Sequence, residues 1–189
     1  MPRFARHFRL FLATLPLGLL TGSPGLSVAA PAAEVIGAGT HCARALGQLQ
    51  PLRAQPLDTD LEILSWNIQK AGNSGWAQDL ADFGNEVDLA FLQEASLQAG
   101  IESILPNASY TSFAQGYVTG TLETGVMTLS KGLPSLRCQL STREPWLGTP
   151  KATSITEYAL RDREDRLLAI NLHAVNFTIG LEEFRAQFH

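Results

Sequence analysis

Three polar side chains stand at the ends of apolar runs: Asn67 closes LEILSWN, Glu94 closes VDLAFLQE and His173 closes RLLAINLH. A carboxylate such as Glu94 suits a hard divalent cation, because magnesium takes oxygen ligands and keeps several waters, leaving room for a substrate phosphate. The same carboxylate could instead favour the N-terminus of a following helix. Asn67 can orient a metal-bound water or a phosphate oxygen through its carboxamide, or serve as a turn residue after a strand. The His173 imidazole can donate to a phosphate oxygen or carry a proton, or be a hydrogen-bonded core group. Singly, each residue leaves both readings open. Together they describe a built site, since functional groups in open α/β sheets collect beyond the carboxyl ends of the strands.

Such a site requires strands, and the patterning supplies them. Leu61 to Trp66 reads as a buried strand bounded by Asp58 and Asp60. A helix is expected next, with Trp76, Leu80 and Phe83 on its apolar face and Ser74 as its cap. Val87 to Leu92 is almost wholly apolar, as a strand covered by helices must be, so the order strand, helix, strand points to an α/β layered domain. A short helix is expected from Ser96 to Leu105, closed by Pro106. Strand-prone segments follow at Tyr110 to Phe113, Thr124 to Leu129, Leu136 to Leu140, Thr153 to Leu160 and Leu167 to Leu172. These form a meander in which Arg161 to Asp165, RDRED, is a solvated hairpin loop. A last helix is expected to begin near Leu181.

Residues 1–32 read as a signal peptide, with a basic start at Arg3, Arg6 and Arg9, an apolar centre from Leu10 to Leu20, and small-residue cleavage sites at Val28-Ala29-Ala30 and Ala30-Pro31-Ala32. The centre is broken by Pro16 and Gly18 and falls short of the roughly 20 apolar residues that span a bilayer. No stable membrane span is expected, and the mature protein is assigned to a bacterial periplasm or the exterior. Residues 33–58 read as an N-terminal arm with at most a short helix from Cys42 to Leu49, and residues 59–189 as the folded domain. Removing the leader, whose three arginines are its only Lys, Arg, Asp or Glu residues, takes the formal charge from −4 to −4 − 3 = −7. An acidic surface opposes broad non-specific binding of nucleic acid, and a bound metal ion would have to supply the positive charge for a phosphate ligand. Cys42 and Cys138 would meet an oxidising compartment and are expected to pair, tying the arm to the body; two unrelated buried thiols are the alternative. The glycosylation sequons at Asn107 and Asn176 are read as coincidence.

The words around the three residues carry more than the residues alone. SWNIQ, DLAFLQEA, TGVMTLSK and INLHAVNF, in that order, resemble the endonuclease/exonuclease/phosphatase superfamily, the metal-dependent group that includes DNase I, exonuclease III-like repair nucleases, inositol polyphosphate phosphatases and bacterial sphingomyelinases. The leader, REPWLGTPK and NLHAVNFTIGLEEFRAQ look like an exported or membrane-associated bacterial branch of it. The resemblance runs from about Leu61 to the end. It implies a DNase I-like four-layered α/β sandwich, two packed mixed β-sheets flanked by helices, incomplete at the C-terminus. It also implies a phosphoesterase that uses magnesium, or manganese, on a nucleic acid, a phospholipid headgroup or a small phosphate ester. Glu94 matches the metal-binding glutamate of the family, and Asn67 the asparagine that helps place phosphate and metal. His173 matches the histidine that hydrogen-bonds the scissile phosphate or supports the general base. Arg143 resembles an arginine near the substrate backbone, while Lys151 and Asn176 are further candidate substrate contacts.

Two departures qualify the match. In Leu122-Glu123-Thr124-Gly125-Val126, Glu123 stands at or near the place where the family often has a tyrosine. The Gly-Asp-x-Asn and Ser-Asp-His motifs, which carry the groups that activate the attacking water, do not occur up to His189. The chain is therefore expected to be a C-terminally truncated form with little or no turnover, the alternative being a non-catalytic remnant that binds a phosphate ligand or a partner. In-line attack on a phosphate ester needs a cation, a base and fixed donors, and only part of that set is legible. A sandwich stripped of its second sheet is also expected to expose an apolar face, an association liability.

Overall fold

The computed structural model describes residues 34–37, 39–143, 148–174 and 185. In chain order the elements are β1 (Glu34–Ile36), α1 (Gly39–Ala45), β2 (Ile63–Asn67), α2 (Trp76–Gly84), β3 (Leu89–Ser96), β4 (Tyr110–Thr119), β5 (Leu122–Ser130), β6 (Pro134–Arg143), β7 (Pro150–Ala159) and β8 (Arg166–Leu172). One mixed sheet has the order β2-β3-β5-β4 and the other β1-β6-β7-β8. β4 and β5 pack over β6 and β7, and β3 over β8, so the two sheets face each other. The protein is thus mixed α/β, two four-stranded sheets with few helices. The leader and the helix near Leu181 lie outside the described residues.

β2 and β3 are parallel, in register from Ile63↔Leu89 to Asn67↔Gln93, so both end at the same edge of the sheet. Parallel neighbours need a crossover, and α2 supplies it. Leu80 is fully buried on this helix, in the same core cluster as Leu92, Met127 and Leu129, a burial that stabilises by about 1.5–3 kcal/mol for a leucine. Phe83, expected on the same face, is 67% exposed. The inward row is half-buried Trp76 with buried Leu80 and Gly84, each four residues apart, and Phe83 is rotated about 100° from Gly84. The helix starts after Gly75, in a left-handed conformation at φ 84°, rather than from a Ser74 cap. Ser96 to Leu105, read as a helix, is instead two 3-10 turns, Leu97–Ala99 and Ile101–Ser103, because Gly100 between them adopts φ 64° and breaks the winding.

The strand-prone half divides between the sheets rather than forming one meander. β4 and β5 make a hairpin in the first sheet, while β6, β7 and β8 run antiparallel in the second. RDRED joins β7 to β8 as expected. The expected bare apolar face is accordingly covered, with Leu89, Tyr158, Ala169 and Leu57 buried in one cluster and Ala114, Val126 and Ala152 in another. What stays open lies on the last strand of each sheet: Ile63 on β2 is 51% exposed, and Leu168 and Ile170, on one face of β8, are 46% and 52% exposed. Gly125 is required where β5 approaches β4, since a Cβ there would run into the Ala114 carbonyl.

The segment read as a loose arm is built into the second sheet. β1 pairs in parallel with β6, from Glu34↔Leu136 to Ile36↔Cys138, and the Cys42–Cys138 disulfide joins α1 to the same strand. Leu57 is buried and exchanges backbone hydrogen bonds with Ala159 and Arg161. Arg166 donates to both the Leu49 carbonyl and the buried Glu157 carboxylate, each at 2.7 Å. α1 begins earlier than the sequence suggests, and Gly47 at φ 71° follows its end.

Candidate functional site

The site is made by an irregularity in β3. Along this strand Leu89, Ala90, Leu92 and Ala95 are buried, and the ladder to β5 runs regularly from Leu89↔Ser130 to Gln93↔Val126. It then jumps to Ala95↔Gly125, leaving Glu94 as an inserted residue with φ 51°. A bulge of this kind re-aims one side chain without disturbing the strand on either side. A non-glycine residue held there costs on the order of 1–3 kcal/mol, which the flanking ladder must sustain.

Glu94 is thereby turned toward the ends of β2 and β8. Asn67, the last residue of β2, donates through Nδ2 to Glu94 Oε1 at 3.2 Å. His173, just past β8, brings Nε2 to 3.6 Å from the same oxygen, an ion pair when the imidazole is protonated. Its backbone N–H donates to the Ala152 carbonyl of β7 at 3.1 Å, which fixes the chain as it leaves the sheet. Three residues separated by 27 and 79 positions along the chain therefore meet at one carboxylate.

Sequence reasoning missed Lys70. Its Nζ lies 3.8 Å from Glu94 Oε2 and 5.7 Å from the centroid of the Tyr117 ring. Hydrogen bonding to the Tyr117 phenol, then the charge of that phenol, holds the ammonium above the usual lysine range, with Glu94 adding a smaller push and burial opposing it. Lys70 sits in a 3-10 turn, Gln69–Ala71, where Gln69, Lys70 and Ala71 all have positive φ, at 50°, 61° and 60°. Asn67 organises this turn as well, since its Oδ1 accepts the Gln69 N–H at 3.1 Å. No periodicity marks a left-handed run of non-glycine residues, so the signal was absent.

A second pair fixes the spacing of the strand ends. Asn171 on β8 is buried at 1% exposure, accepts from Gln93 Nε2 at 2.9 Å, and donates through Nδ2 to the Met127 carbonyl at 3.0 Å. Gln93 directly precedes Glu94, and Asn171 stands two residues before His173. Their signal was present: an amide inside an apolar strand must find a partner when buried.

The remaining candidates fall elsewhere. Arg143 ends β6 exposed, and donates to the Gly148 carbonyl at 3.1 Å, so it helps close the following loop rather than joining Glu94. Lys151 is buried on β7, adjacent to the Ala152 that receives the His173 N–H. Asn176 lies outside the described residues. Glu123 engages Gln98 through its backbone, whereas Tyr117, opposite Thr124 across the β4–β5 ladder, places a phenol beside Lys70.

The donor set can be weighed against a magnesium ion. Among the described residues no three His, Cys, Asp or Glu side chains group as a metal cage. Magnesium does not require one, being commonly held by one or two carboxylates with water and phosphate completing its shell. The Glu94 carboxylate, 24% exposed and braced at both oxygens, fits that role. Asn67 turns its amide N–H toward Glu94, so it acts first as the orienter of that carboxylate.

No family model matches the chain. Among curated proteins, it is 33% identical over 132 residues to a UPF0294 protein of Vibrio cholerae, an alignment covering 69% of this chain and 47% of that protein. A UPF0294 protein of Vibrio parahaemolyticus is 33% identical over 129 residues, 68% of this chain and 46% of the relative. One of Vibrio campbellii is 32% identical over 152 residues, 79% and 54% respectively. The chain spans about half the length of the curated relatives it matches.

Proposed function

We propose that this chain carries part of the active centre of an exported, magnesium-dependent phosphoesterase of the endonuclease/exonuclease/phosphatase type, on a DNase I-like sandwich. The observation that carries the reading is the convergence of Asn67 and His173 on Glu94 Oε1, at 3.2 and 3.6 Å, from three separate strand ends. Glu94 would hold the ion, with Asn67 keeping its carboxylate in place. When bound, the metal would supply positive charge against the charge that builds on the phosphoryl oxygens. His173 can hold a proton at Nε2 and donate it to a phosphate oxygen, and its attachment to Ala152 keeps the ring at the strand end. The disulfide supports an oxidising compartment. Because the chain spans about half of its relatives, efficient turnover is proposed for the longer protein and slow turnover for this chain.

The test is hydrolysis of bis-p-nitrophenyl phosphate, plasmid DNA and sphingomyelin by this chain with magnesium, with and without EDTA, alongside manganese binding followed by electron paramagnetic resonance. Glu94→Gln is expected to lower EDTA-sensitive hydrolysis by at least about a hundredfold and manganese affinity by at least about tenfold. A Glu94→Gln protein that binds manganese and turns over like the parent would remove the proposal.

A further inference from the structure

The two oxygens of Glu94 face different groups. Oε1 is met by Asn67 and His173, whereas Oε2 is met by Lys70. At 3.8 Å the ammonium lies beyond hydrogen-bond reach of that oxygen, so it is paired with the carboxylate but not locked to it. The Lys70 side chain is 42% exposed, and its ammonium, which has three donors, is paired with the Glu94 carboxylate and stands over the Tyr117 ring.

Resting on the phosphoesterase reading, we propose that Lys70 is a substrate-binding residue that contacts an anionic phosphate oxygen, with Glu94 and Tyr117 holding its ammonium at the site in the meantime. The argument is one of charge and placement. The chain carries a formal charge of −4, so its surface does not attract anions, and a phosphate approaching Glu94 meets a carboxylate first. A cation within a few ångströms of that carboxylate offsets the repulsion. The left-handed turn that presents Lys70 is pinned by the same Asn67 that orients Glu94, so the cation and the carboxylate are positioned by one residue. Tyr117, approaching from β4, sets the other side of the ammonium and acts as its positioning residue. A lysine serving only as the counter-ion of Glu94 would give the same ion pair but no affinity for phosphate.

Inorganic phosphate titrated into the metal-free chain in EDTA, followed by backbone amide chemical shifts, separates the two. Saturable binding is expected, with shifts centred on residues 67–72. Lys70→Met should weaken it by at least about tenfold, and Lys70→Gln, kept as a second variant in case the first folds poorly, by a similar factor. Tyr117→Leu should weaken it by roughly twofold to threefold, because the ring beneath the ammonium is gone. Glu94→Gln should tighten it, because the competing carboxylate is gone; a counter-ion role would leave both Lys70 variants equal to the parent. Parental affinity in both folded Lys70 variants, or no saturable phosphate binding by the parent, overturns the proposal. Neither metal nor turnover enters this measurement, so its failure is distinct from a failure of the hydrolase reading, which the Glu94→Gln kinetics judge.

Discussion

Reduction of the Cys42–Cys138 bond is expected to lower the unfolding free energy by about 4–5 kcal/mol. The two residues are 96 positions apart, so the bond removes a long loop's worth of freedom from the unfolded chain, and that freedom returns on reduction. In the folded state it joins α1 to β6, beneath which Leu136, Leu140 and Ile155 form a small apolar cluster. That cluster and the Arg166–Glu157 pair would keep the second sheet assembled, while β1, three residues long and paired among the described residues only with β6, would lose protection first. Urea unfolding with and without dithiothreitol measures the total, and amide exchange at Ile36 measures the local part. A midpoint that hardly moves on complete reduction would show that the loop is restrained in the unfolded chain by other means.

Asn171→Asp should cost about 3–5 kcal/mol at neutral pH, although it exchanges one atom for another. In the parent, Nδ2 faces the carbonyls of Met127 and Leu92, at 3.0 and 3.4 Å, and Oδ1 receives Gln93. The new carboxylate would keep the second contact and turn an acceptor toward two acceptors, inside a site that is 1% exposed. Burial raises the folded-state pKa of such a group above its unfolded value, so the folded form binds the proton more tightly. The variant is therefore expected to be most stable below about pH 4, the ordinary aspartate range, and to lose stability as the pH rises through the elevated folded value. Denaturation midpoints measured across that range check both size and sign. A variant as stable as the parent at neutral pH would mean that the sheets can separate enough to admit water at Asn171. The same substitution loosens the spacing between Glu94 and His173, because Gln93 and Asn171 tie β3 to β8 just before those residues.

The residues at strand ends were legible because apolar runs of strand length announce where a sheet stops. Asn67, Glu94 and His173 could be named, and the expectation that they share a site is consistent with the distances between them. The cysteine pair was legible from compartment and count. Phe83 and the Ser96 to Leu105 segment were misread for local reasons, a rotation of one residue on a helix and a left-handed glycine inside an apparently helical stretch.

What the sequence by itself determined was the set of chemical groups and the strands that carry them. Which way those groups face was decided by tertiary structure. The bulge at Glu94 exists because β5 holds Gln93 and Ala95 in register on either side of it, and the left-handed turn at Lys70 is held by Asn67 and the chain around it. Both conformations are unfavourable for an isolated segment, so no local preference encodes them. They persist only because contacts distant in sequence over-determine the backbone, and that is also why the carboxylate, the amide, the imidazole and the ammonium meet.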